Sequence, residues 1–86
     1  MKIKLFYFAR LKETLKYSTE DLELESGADW TVLKLKNYLA QRGDVWGQML
    51  MGKLKVRAAI NHELVHDGAV IHDGDEVAFF PPVTGG

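Results

Sequence analysis

Cysteine is absent from this chain of 86 residues. That excludes disulfides, thiolate metal sites and a thiol nucleophile, so any sulfur chemistry must use another group. Proline is nearly absent, and its two occurrences stand side by side as Pro81-Pro82. Excess charge is lacking too. A net charge of −1 gives no general attraction to phosphate backbones, and no nucleic-acid partner is expected. No long apolar run is present. Leu5-Phe6-Tyr7-Phe8-Ala9, closed by Arg10, is shorter than a secretory core and far shorter than a membrane span. The expectation is a soluble, cytoplasmic protein with no membrane partner.

Enough apolar material remains for one small core. The apolar fraction is 47%, ordinary for a globular chain, and a domain of this size buries about 60–65% of its unfolded surface. Lys2 to Phe8 begins with alternation and then turns apolar on both faces, which predicts a central strand covered on both sides. Ala9 to Tyr17 places Leu11 and Leu15 at helical spacing and predicts one short turn. Thr19 to Ser26 alternates Leu22 and Leu24 with Glu23 and Glu25, as in a strand with one wet face. Thr31 to Arg42 gives the clearest helix, with Val32, Leu35, Tyr38 and Leu39 on one stripe. Thr31 or Asp29 can cap its start, and Gly43 suits the position past its end. Asp44 to Lys53 reads as irregular and apolar, with Trp46, Met49, Leu50 and Met51 closing one end of the core. Leu54 to Ile60 alternates as a third strand. Asn61-His62-Glu63 turns tightly, Leu64-Val65 returns, and Ala69 to Ile71 is briefly extended. After the turn Asp73-Gly74-Asp75 comes a last strand, Glu76 to Phe80. A sheet with one main helix on one face is the economical packing of this order.

Two stretches imitate catalytic motifs. His62-Glu63-Leu64-Val65-His66 matches the literal pattern of zinc peptidases, which needs a helix to bring both imidazoles to one face. Its neighbours here read as strand and turn. On a strand the two histidines would stand about 13 Å apart along the chain, too far to share one zinc. No metal site is expected. Gly47 to Leu54 nearly matches a phosphate-binding loop, but Leu54 replaces the hydroxyl that would hold magnesium, the variable positions are apolar, and a helix precedes it where a strand should.

The third motif is the tail, Pro81-Pro82-Val83-Thr84-Gly85-Gly86. Neither proline can donate a ladder hydrogen bond, so pairing must stop there. Paired prolines favour an extended chain at little entropic cost, and six residues from Pro81 can reach about 19 Å. Glycines without Cβ atoms suit a narrow channel. The reactive group is then the carboxylate of Gly86. A carboxylate is a weak electrophile until adenylated, after which a sulfur donor can displace the adenylate to give a thiocarboxylate. The chain offers no plausible ATP site of its own, so a partner would use the ATP, and no cofactor bound by the chain itself is expected. The expected organisation is a folded body over 1–80 and an extended tail over 81–86.

The run from Asp73 to Gly86, with Leu5-Phe6-Tyr7-Phe8-Ala9-Arg10-Leu11-Lys12-Glu13 and Ala58-Ala59-Ile60-Asn61, resembles the molybdopterin synthase small subunit family, the sulfur carriers of molybdenum cofactor biosynthesis. The resemblance covers essentially the whole chain. It implies an α+β, ubiquitin-like β-grasp fold: a mixed sheet of four to five strands, its first and last strands adjacent and parallel. It implies adenylation and thiocarboxylation of Gly86 by an ubiquitin-activating-like adenylyltransferase. The tail, through Pro81, Pro82, Val83, Thr84 and Gly85, would then thread into the large synthase subunit, in an assembly of two small and two large subunits. There a non-catalytic donor chain would give sulfur to cyclic pyranopterin monophosphate, building the dithiolene. By position, Phe8, Leu64 and Phe80 match an apolar partner-binding patch of the family; the alternative is that one or more of them is core. One departure is Lys12, where the family often has arginine and where lysine cannot make a bidentate contact. A bare Gly-Gly end is shared with ubiquitin-like modifiers and with carriers for thiazole and tRNA thiolation, which remain alternatives.

Overall fold

The computed structural model describes residues 1–82; Val83, Thr84, Gly85 and Gly86, and with them the expected threading tip and the expected reactive carboxylate, lie outside the described residues. The order is β1 (Lys2–Tyr7), α1 (Ala9–Leu15), β2 (Thr19–Glu23), α2 (Val32–Ala40), α3 (Asp44–Met51), β3 (Arg57–Ile60), β4 (Glu63–Val65) and β5 (Glu76–Phe80). The strands form one mixed sheet, ordered β2-β1-β5-β3-β4. β1 and β5 run parallel, with Tyr7 beside Phe79, and the other pairs are antiparallel. This is the expected α+β, β-grasp arrangement with five strands. The last of the described strands, β5, sits in the middle of the sheet, gripped on both edges.

Alternation sorts each strand into an inner and an outer set. Ile3, Leu5 and Tyr7 of β1, Val77 and Phe79 of β5 and Ala58 of β3 are buried on one face. Against them lie Val32, Leu35 and Leu39 of α2, Leu11 and Leu15 of α1, and Leu50 of α3. Thr31 caps α2, its hydroxyl accepting from the Lys34 amide at 3.1 Å, which satisfies one of the free N–H groups of the first turn.

Several expectations change. The stretch Asp44 to Lys53 is mostly helix, α3. Val45, Trp46, Met49 and Leu50 do recur at helical spacing, but Gly43 and Gly47 disguise it. Gly43 stands at the start of α3 and is not the immediate stop of α2. Met51 is exposed and does not plug the core. α1 is a full two-turn helix. β2 ends at Glu23, short of Ser26. On α2, Tyr38 is exposed and Lys36 takes its place on the buried face. Positions 32, 35, 36 and 39 are the i, i+3, i+4, i+7 set that a helix lays against a core. The second face of β1 is not covered: Phe6 is only partly buried and Phe8 is exposed. β3 begins at Arg57, three residues later than the alternation suggested. Its register puts Arg57 opposite Phe80, so Val56 would fall opposite Pro81, which has no N–H to offer. No helix of the described residues is long and apolar enough to cross a membrane.

Candidate functional site

The tail begins where the β5 ladder is made to end. The Phe8 amide donates to the Phe79 carbonyl at 3.1 Å on one side, and Arg57 pairs with Phe80 on the other. Pro81 and Pro82 then leave the sheet half-buried. The body of the fold therefore fixes the root of the tail from both flanks.

The uncovered sheet face surrounds that root. Register places Phe6, Ala78, Ala59 and Leu64 in one row across β1, β5, β3 and β4. Phe8 and Phe80 extend the row toward the tail, Phe8 stacking on Phe6 with ring centroids 6.5 Å apart. Phe8 is 49% and Leu64 56% exposed, and Phe80 is half-buried. None of the three is core in the sense of the inner face. Phe8 and Phe80 share a depression of about 290 Å³ with Phe6, Ala59 and Ala78. Leu64 is not part of it; it stands at the far end of the row and lines a separate cleft. Away from the tail the same face turns ionic, with Lys2 opposite Glu23 and Lys4 between Asp21 and Glu76. The face therefore has a direction, with an apolar half beside the root of the tail and a half of alternating charge behind it.

Neither imitation motif survives as a site. Asn61 and His62 both have positive φ, 51° and 70°, as a two-residue hairpin turn of the kind that matches strand twist requires. His62 thus sits on a turn and His66 beyond β4, so the helix that zinc peptidases need is missing. Gly47 lies inside α3 and Gly52 caps it. A Cβ on Gly52 would collide with the Gln48 backbone, so this glycine serves the helix end and no phosphate cradle.

Two polar clusters support the sheet, and sequence reading missed both. Lys36, 5% exposed, donates to the Val56 carbonyl at 2.7 Å and to Asp67 at 2.8 Å. It satisfies a carbonyl just before β3 and ties α2 to both arms of the β3–β4 hairpin. The second cluster lies at the C-terminal end of β1. Arg42 grips the Glu20 carboxylate with two hydrogen bonds of 2.8 Å, and the Tyr7 hydroxyl donates to it at 2.9 Å. The guanidinium lies 4.6 Å from the Trp46 ring centre. Burial opposes ionisation of Glu20, but its bonds from Arg42 and Tyr7 win and hold the carboxyl below the ordinary 4.5. Burial, then the Glu20 charge, pushes the Tyr7 phenol upward, so it stays a donor. Because Glu20 is lowered in the fold, its stabilisation is present above the ordinary carboxylate range and fades as pH falls through the lowered folded value. Glu20→Gln should cost about 1–3 kcal/mol at neutral pH, a gap that narrows in acid. Denaturant melts of both chains from pH 7 to pH 3 read this; a gap that is constant with pH would contradict it.

Comparison with known proteins agrees with this geometry. The ThiS family matches over residues 5–86. The molybdopterin synthase sulfur carrier subunit of Escherichia coli is 42% identical over 85 residues, covering 98% of this chain and 99% of the relative. The subunit of the same name from Haemophilus influenzae is 36% identical, with coverage of 98% and 99%. Among solved structures, SAMP1 of Haloferax volcanii, a small archaeal modifier protein, superposes with a TM-score of 0.78 at 26% identity, covering the whole of both chains. A β-grasp sheet with its last strand at the centre, an apolar half-face beside the tail, and relatives matched end to end lead to one conclusion: this chain belongs to the ThiS family, among the molybdopterin synthase sulfur carrier subunits.

Proposed function

We propose that this chain carries sulfur on the terminal carboxylate of Gly86 and delivers it within molybdopterin synthase, in the cytoplasm. The observation that carries the reading is the central, doubly paired β5 leading straight into Pro81-Pro82 beside an open apolar half-face. A rigid root and an accessible surface are what a protein needs to place its own chain end in another protein's pocket. An ubiquitin-activating-like adenylyltransferase binds the ATP: the carboxylate attacks the α-phosphorus and pyrophosphate leaves, and sulfur at the level of hydrosulfide then attacks the carbonyl carbon and expels AMP, leaving a thiocarboxylate. Phe8, Leu64 and Phe80 dock on the partners while Val83, Thr84 and Gly85 span the channel. The large subunit, in an assembly of two small and two large chains, receives the sulfur onto cyclic pyranopterin monophosphate. Here the chain is the donor and contributes no catalytic side chain.

The likeness to SAMP1 favours one second reading, a protein modifier whose Gly86 is joined to lysines. Activation is common to both, and the acceptor decides. Intact mass after incubation with the activating enzyme, ATP and a sulfur source should rise by about 16 Da, oxygen replaced by sulfur. Adducts to other proteins with no such species would support the modifier instead.

A further inference from the structure

On the β1 side of the open face the register sets cations opposite acids. Lys2 faces Glu23, Lys4 lies between Asp21 and Glu76, and His62 approaches Glu76 at 3.5 Å. On the β3 side of the tail root the register sets no acid opposite the cation. Arg57 is exposed and stands opposite Phe80, the last paired residue before the tail. Among the described residues neither Arg57 nor Lys55 belongs to an ion pair. Both line a cleft of about 520 Å³ at the place where β3 and β4 part, with Leu64 and His66 on the other wall. The one acid there, Asp67, is engaged by Lys36, and His66 uses Nδ1 to accept from the Gly68 amide.

We infer that Arg57, with Lys55 beside it, docks a carboxylate-bearing segment of the large synthase subunit. The inference rests on the sulfur-carrier reading and adds to it a charge contact that the apolar row does not supply. Leu64 belongs both to the row and to the cleft wall, so the cationic spot continues the apolar surface without a gap. A small anion would have no use for that apolar border, whereas a protein segment would cover both. A guanidinium presents a planar pair of donors that fits a carboxylate in two-point contact. Placed one residue before the tail, such a contact would set the rotation of the carrier about the tail axis, which a slide of apolar on apolar surface leaves loose. Electrostatic complementarity of this kind acts on register and association rate.

The test is equilibrium binding of the full chain to the large subunit of the same organism, at low and high salt. Arg57→Glu should weaken binding about tenfold or more at low salt and flatten its salt dependence, and Lys55→Glu should do so more mildly. Arg57→Gln, with no reversed charge, should lie between Arg57→Glu and the wild type. Leu64→Glu serves as the control for the apolar row. Wild-type affinity and salt response in Arg57→Glu, alongside binding lost in Leu64→Glu, would overturn the charge contact and leave the carrier reading standing. An effect seen only with the activating enzyme would overturn it too. Failure of the wild-type chain to bind the large subunit would overturn both readings.

Discussion

Removal of Gly86 is expected to abolish sulfur transfer while leaving the melting curve of the protein unchanged. Among the described residues the paired strands end at Phe80 and every core residue precedes Pro81, so the deletion removes none of these contacts. What it changes is reach. An extended residue contributes about 3.1 Å, and misplacement of a reacting group by about 1 Å already costs on the order of a hundredfold in rate. The terminal carboxyl of the shortened chain would stop a full residue short of both the adenylating pocket and the sulfur acceptor. A loss of at least about a thousandfold in single-turnover transfer follows. One added residue after Gly86 should do comparable harm, because the carboxylate no longer ends where the channel does. Activity near wild type in either variant would refute a mechanism that works through this carboxylate.

The second large effect separates two adjacent phenylalanines. Phe79 is 0% exposed and packs beside Tyr7 with ring centroids 6.2 Å apart. Phe80 follows it on the opposite face, in the depression beside the tail. Phe79→Ala should cost about 3–5 kcal/mol, a large part of the total stability of about 5–15 kcal/mol that a domain can have. Phe80→Glu should leave the unfolding midpoint within about 1 kcal/mol of wild type. It should weaken partner binding by a factor of about a hundred, since apolar anchors at the centre of an interface carry most of its energy. Denaturant melts beside a binding titration distinguish the pair. Unfolding of Phe80→Glu would show that the outer ring is structural after all, and full binding by it would remove the open face from the docking surface.

Much of this could be seen in the residues alone because strands announce themselves by alternation. Ile3, Leu5 and Tyr7, or Val77 and Phe79, declare an inner face, and Pro81-Pro82 declare where pairing must stop. Register is another matter. Nothing local says that Phe6, Ala78, Ala59 and Leu64 fall in one row, because that depends on which strands meet and at which offset. For the same reason the resemblance to a family could place Phe8, Leu64 and Phe80 together, but not show that Leu64 lies outside the depression shared by the other two. Helix α3 stayed hidden behind glycines, whose low propensity was overridden by packing of Leu50 into the core. Lys36 stayed hidden because a lysine is normally read as surface. Only the fold brings the Val56 carbonyl and Asp67 within its reach. Glu20 and Arg42, 22 residues apart, carry no local sign of each other.

The central position of β5 also decides how the molecule bears load. If a partner draws the tail inward, the pull runs along the strand axis, parallel to β1 and antiparallel to β3. Hydrogen bonds on both edges are then strained together in shear, whereas an edge strand peeled sideways would give them up one at a time. A tug that could unzip β4 would have to rupture two ladders at once to extract β5. The strand order therefore makes β5 a mechanical anchor, one that would keep its fold if the proposed transfer hauled the chain end into a tight passage and later released it.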